Sequence, residues 1–221
     1  MDTLFIELCN CITFLLNSLV SLSMVYFYES KPSELDEGHY IITGKDQFEN
    51  DLLIKYGFRE IGLVWFHADK YSSGHVYLKL LPHEKSVDDV QGEVLQDCLQ
   101  LCKSMSIQGN KLDQCRIIAT PWHNLRKSKS MKPGEVSFKS TKSCKKFTCH
   151  ERNQKILNRL QKTRVELIDT ESLLQQAKKD KDGEALVQIV EVHRENLIEE
   201  EKMRKHEKKM KKKITDINVE P

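Results

Sequence analysis

No Phe, Trp or Tyr follows Phe147, although the chain runs to 221 residues. A charged segment without aromatics buries too little apolar surface to fold as its own globule, so the core-forming part is expected to end near residue 149. The seven cysteines are odd in number and irregularly placed, at 9, 11, 98, 102, 115, 144 and 149. An odd, unpatterned set excludes a disulfide framework. Cys144 and Cys149 lack the second Cys-x-x-Cys half that a structural zinc site needs. Glycosylation acceptors of the Asn-x-Ser/Thr type are absent, in keeping with a reducing, cytoplasmic setting. Glycine is thin as well. Gly44-Lys45-Asp46 has no long glycine loop before it, which excludes a phosphate-cradling P-loop. The net charge of +2 points to no partner by itself.

The longest uncharged run, Leu8 to Tyr28, has the length of a membrane span. Asn10, Thr13, Asn17, Ser18, Ser21 and Ser23 make it only moderately apolar, and Asp2 and Glu7 stand where a basic n-region is expected. Residues 1–23 are therefore read as an apolar N-terminal extension, such as an alternative start would add. A membrane anchor through residues 8–28 is the other reading.

What is present concentrates in Val64–Leu80. β-Branched and aromatic residues alternate on both sides of Ser72-Ser73-Gly74, the pattern of a β-hairpin. Alternation puts Val64, Phe66, Ala68, Val76, Leu78 and Leu80 on one face. Trp65, His67, Asp69, His75, Tyr77 and Lys79 fall on the other. Rings, imidazoles and a lysine suit base stacking and phosphate contact. The competing reading is that a helix covers this face and buries the rings as core.

The same residues carry a resemblance. Gly44-Lys45-Asp46, Glu49-Asn50-Asp51-Leu52, Trp65–Asp69 and Ser73–Leu78, followed by Thr120–Lys127 and Lys132–Val136, resemble the signature blocks of the NFACT-R domain family. The similarity covers about Met24 to Leu160 and implies an RNA-binding module. In the family's large ribosome-quality-control members the module accompanies domains that engage tRNA and the large ribosomal subunit. The resemblance therefore implies a link to the ribosome or tRNA, without carrying over those domains' activity.

Elsewhere, Val25–Phe27 and His39–Thr43 are expected to pair as strands, and Asp46 to cap a helix running to Tyr56. Val87–Met105 reads as the main domain helix, with Cys98 and Cys102 one turn apart in the core. Cys115–Thr120 reads as a strand, and Val136–Phe138 with Lys145–Thr148 as a further hairpin. The expected class is α+β, an antiparallel sheet packed with helices and followed by a long C-terminal helix or coiled coil. Leu160, Leu167 and Leu174, seven apart, suggest a coiled-coil seam that Asp182-Gly183 interrupts. The division is thus extension 1–23, NFACT-R-like domain 24–149, charged helix or coiled coil 150–213 and disordered tail 214–221.

From Thr120 to Cys149 eight Lys/Arg face one acid, Glu135. The function expected is a non-enzymatic nucleic-acid-binding module that prefers RNA to DNA, without cofactor or metal. Its expected contacts are Lys45, His67, Lys70, His75, Tyr77, Arg126, Lys127 and Lys129. His67, Asp69 and His75 could be imagined as an acid–base or metal cluster, but no nucleophile or Glu-x-x-His pair accompanies them. Two alternatives stay open. One is a membrane-associated DNA-binding receptor, and the other an adaptor meeting a helical protein partner through residues 150–213. The basic run Lys202–Lys213 also has the composition of a nuclear address.

Overall fold

The computed structural model describes residues 23–33 and 37–217. Its strands are β1 (Met24–Ser30), β2 (His39–Gly44), β3 (Leu63–Ala68), β4 (Val76–Lys79), β5 (Cys115–Pro121), β6 (Leu125–Arg126), β7 (Ser137–Phe138), β8 (Lys145–Cys149) and β9 (Val165–Ile168). Its α-helices are α1 (Gln47–Tyr56), α2 (Gly92–Ser104), α3 (Gln154–Thr163), α4 (Thr170–Asp180) and α5 (Ala185–Ile217). Seven strands form one antiparallel sheet in the order β8–β5–β3–β4–β2–β1–β9, and β6 pairs with β7 in a small second sheet. The fold is α+β.

Period-two alternation divides the core into two layers. On the first face Val64, Phe66, Val76, Leu78, Ile117 and Ala119 pack against Val94, Cys98, Leu99 and Cys102 of α2 and Leu160 of α3. On the second face Val25, Phe27, Ile42, Trp65, Tyr77 and Leu167 pack beneath Leu53 of α1, Leu174 of α4, and Leu186 and Val190 of α5. Local signals set the helix ends. The Asp46 carboxylate accepts from the N–H groups of Phe48 and Glu49 at the start of α1, and Asn153 caps α3 in the same way.

Four expectations change. The region beyond residue 149 ends in the expected long C-terminal helix, α5, but it is not one charged helix or coiled coil throughout. It supplies α3, β9, α4 and most of α5 to the domain, with β9 pairing antiparallel to β1. Leu160, Leu167 and Leu174 are all buried, but in a helix, a strand and a second helix, so their seven-residue spacing makes no seam. β7 and β8 are not partners of each other; β7 joins β6 and β8 joins β5. Residues 214–217, expected in a disordered tail, continue α5.

The anchor reading of residues 8–28 meets β1, in which Val25–Phe27 are paired on both edges, to β2 and β9. Residues 8–22 of that run lie outside the described residues. Among the described residues no helix is long and apolar enough to cross a membrane.

Candidate nucleic-acid interface

Trp65 on β3 lies opposite Tyr77 on β4, so the two rings share the second face. The layer above them closes that face: Trp65 is 2 % exposed, His75 1 % and Tyr77 0 %. His75 and Tyr77, expected as stacking contacts, are therefore core residues, because α1 and the β6–β7 region cover them. The Tyr77 hydroxyl donates to the Asn50 carbonyl at 3.2 Å, and His75 Nδ1 lies 3.2 Å from the same hydroxyl. Trp65 stacks on His67, with ring centroids 5.4 Å apart and planes at 4°, and meets Phe138 edge-on at 5.7 Å.

Burial pushes the His75 imidazole down to about 3, with His67 and Lys127 adding to the effect. Burial also lowers His67, whose Nδ1 donates to the Ala68 carbonyl at 2.8 Å. Both rings are neutral near pH 7 and bring no positive charge to a phosphate.

The cover stops at β3. Across β3, β5 and β8 the register places His67 beside Ile118 and Ile118 beside Lys146, while Arg116 lies beside Thr148. Cross-strand partners point to the same side, so this end of the second face presents a half-buried imidazole, a half-buried isoleucine and two exposed cations. Lys146 also forms an ion pair with Asp69 at 3.0 Å.

Next to His67 opens a groove of about 690 Å³, lined by Asn50, His67 and His75, by the Lys132–Glu135 loop, and by Lys70 and Tyr71. Lys70 is exposed there. Lys45 is exposed in the β2–α1 turn and is not part of the groove wall. Arg116, Lys146 and Lys132 are not among the expected contacts, although Lys132 and Lys146 belong to the basic Thr120–Cys149 segment. The alternation Arg116-x-Ile118 was a readable signal, but only the pairing with β3 shows that it continues the His67 face. Among the described residues no group of three or more His, Cys, Asp or Glu is placed to hold a metal ion.

The profile of the NFACT protein RNA binding domain matches residues 24–140. The chain belongs to the NFACT RNA-binding domain family. It is 63 % identical over 191 residues to protein JLP2 of Saccharomyces cerevisiae, covering 86 % of this chain and 92 % of that protein. It is 44 % identical over 140 residues to coiled-coil domain-containing protein 25 of Bos taurus, covering 63 % of this chain and 66 % of that protein. The solved C-terminal part of a fibronectin/fibrinogen-binding protein from Streptococcus suis is similar with a TM-score of 0.47 and 22 % identity, over 60 % of this chain and 48 % of that one.

In this NFACT domain the block Thr120–Lys127 works largely as an internal latch. Trp122 Nε1 donates to the Leu53 carbonyl at 2.6 Å, fastening β5 to the end of α1. The Asn124 amide donates to Thr120 Oγ1 and the Ser140 carbonyl and accepts from the Ser140 N–H. Lys127, expected as a phosphate contact, is spent inside the domain. Its Nζ lies 2.9 Å from Asp51 Oδ2 and donates to the Lys132 and Glu135 carbonyls at 2.7 and 2.9 Å. Asp51 also accepts from the Gly134 N–H at 2.7 Å, where glycine takes the left-handed conformation with φ of 77°. Arg126 and Lys129, by contrast, are exposed on either side of this latch.

Proposed function

We propose that this NFACT domain is a non-enzymatic RNA-binding module whose contact surface is the uncovered β3–β5–β8 end of the sheet and the groove beside it. The observation that carries the reading is the register His67–Ile118–Lys146 with Arg116 alongside, since it joins ring, apolar and cationic groups on one open surface. The family match, described as RNA binding, supports the choice of polymer. Arg116, Lys146 and Lys70 supply phosphate contacts, while His67 and Tyr71 offer planar surfaces to unstacked bases.

The test is a salt titration of RNA affinity for the full chain and for the triple variant Lys70→Ser, Arg116→Ser, Lys146→Ser. Each lost phosphate contact should lower the log–log salt slope by about one. A variant with an unchanged slope and unchanged affinity would remove this surface from the binding site. Duplex DNA in the same titration is expected to bind more weakly.

A further inference from the structure

Helix α5 continues past its last contacts with the domain, and its two sides differ from those of an ordinary surface helix. At 100° per residue, Leu186, Val190, Leu197 and Glu201 fall on one side and are buried against the sheet. Val192, Met203 and Met210 fall within about 20° of one another on the opposite side. They are 75 %, 66 % and 46 % exposed, half of the large exposed apolar residues among those described. Monomer surfaces carry scattered apolar residues without meaning, but an aligned stripe marks a contact.

Charge along the helix is sorted as well. Residues 191–201 hold Glu191, Glu195, Glu199, Glu200 and Glu201 against Arg194. Residues 202–211 hold Lys202, Arg204, Lys205, Lys208, Lys209 and Lys211 against Glu207. Part of this charge is used within the fold: Glu201 takes Arg164 and Lys205, and Arg204 reaches Glu166 at 3.1 Å. Glu195, Glu199, Lys202 and Lys209 flank the apolar stripe, are exposed, and make no hydrogen bond or ion pair among the described residues.

We infer that this face of α5 pairs antiparallel with α5 of a second copy of the chain. A twofold axis near residue 201 sets Val192 against Met210 of the other copy, and brings Glu199 within one residue of level with Lys202 and Glu195 within two of level with Lys209. A parallel pair would oppose glutamate to glutamate and lysine to lysine, which costs stability in paired helices. Twofold pairing is isologous and closes on itself, so it ends at the dimer. Each domain packs on the far side of its own helix, and the antiparallel arrangement carries the two domains to opposite ends of the pair. The apolar stripe is short, so the dimer is a weak one.

Sedimentation equilibrium of the full chain measures it. The wild type is expected to shift from monomer to dimer over tens of micromolar, with Met203→Lys monomeric and unchanged in melting temperature. Glu195→Lys with Glu199→Lys should abolish pairing, and adding Lys202→Glu with Lys209→Glu should restore it. Copies carrying Val192→Cys and Met210→Cys should cross-link to each other when mixed, above the background of the native thiols, and Val192→Cys should not cross-link to itself. A wild type that stays monomeric, a charge swap without rescue, or self-linking at position 192 would each overturn the proposal. Loss of RNA binding on charge reversal in a monomeric protein would do so too, by assigning the basic half of α5 to RNA.

Discussion

At the scale of single residues, three of the side chains expected to meet ligand, His75, Tyr77 and Lys127, are used by the fold instead. Lys127 joins Asp51 to the loop that ends at Glu135, and Lys127→Met removes all of its contacts at once. Hydrogen bonds to a charged group contribute about 1.5–3 kcal/mol. The variant should therefore lose stability of that order in urea denaturation, and trypsin should cut at Lys129 earlier than in the wild type. Its RNA salt slope should be nearly unchanged, since the ammonium group faces inward.

His75 makes a prediction about pH. Its imidazole is held down to about 3 in the fold, against 6.5 ordinarily. The unfolded chain therefore takes up a proton as pH falls below about 6.5 while the native state does not. Stability is complete above that pH and is lost on acidification at about 1.4 kcal/mol per pH unit until the native ring titrates. A His75→Gln variant should show a shallower loss of melting temperature between pH 6.5 and 4.5 than the wild type. Equal slopes would show that other groups govern the acid limb.

At the scale of elements, local chemistry made much of the domain legible and long-range pairing did not. The Asp46 cap, the β1–β2 pair, the hairpin's two faces and the buried thiols of Cys98 and Cys102 all follow from short-range pattern, and the structure has them. The burial of Trp65 and Tyr77 follows from ring size and alternation once a cover exists, but the cover is built by residues far along the chain. β9 is the clearest miss. Val165–Ile168 is a four-residue strand between two charged helices, and nothing in its own composition names β1 as its partner. The leucine spacing pointed instead to a coiled coil, since a seven-residue interval does not distinguish a seam from three separate burials. The place of Arg116 and Lys146 was hidden for the same reason: each alone is an ordinary exposed cation, and pairing makes them neighbours of His67.

The position of β9 sets where the chain can be cut. A fragment ending at Arg164 lacks β9, α4 and α5 and so uncovers Val25, Phe27, Ile42 and Leu63. It should bind a hydrophobic dye and show a broadened denaturation transition. A chain ending at Lys205 keeps Leu186, Val190, Leu197 and Glu201, the buried residues of α5, and should be within about 0.5 kcal/mol of the full protein in stability. A cooperative, dye-free 24–164 fragment would mean that the second face needs no cover.

At the scale of the whole molecule, the sheet is closed at one edge by the far end of the domain. The Glu29 N–H donates to Thr163 Oγ1, 134 positions along the chain, and β9 follows immediately to pair with β1. A ribosome adds about 5–20 residues per second, so β1 waits roughly 7–27 s for its second neighbour after it is made. Through that interval the nascent protein holds an unpaired edge and a bare apolar layer, the kind of surface that recruits other strands. Slow codons or a stall between residues 30 and 168 should lengthen the exposure and lower the soluble yield. The same slowing placed after residue 205 should leave the yield unchanged, because by then the last strand has already been delivered.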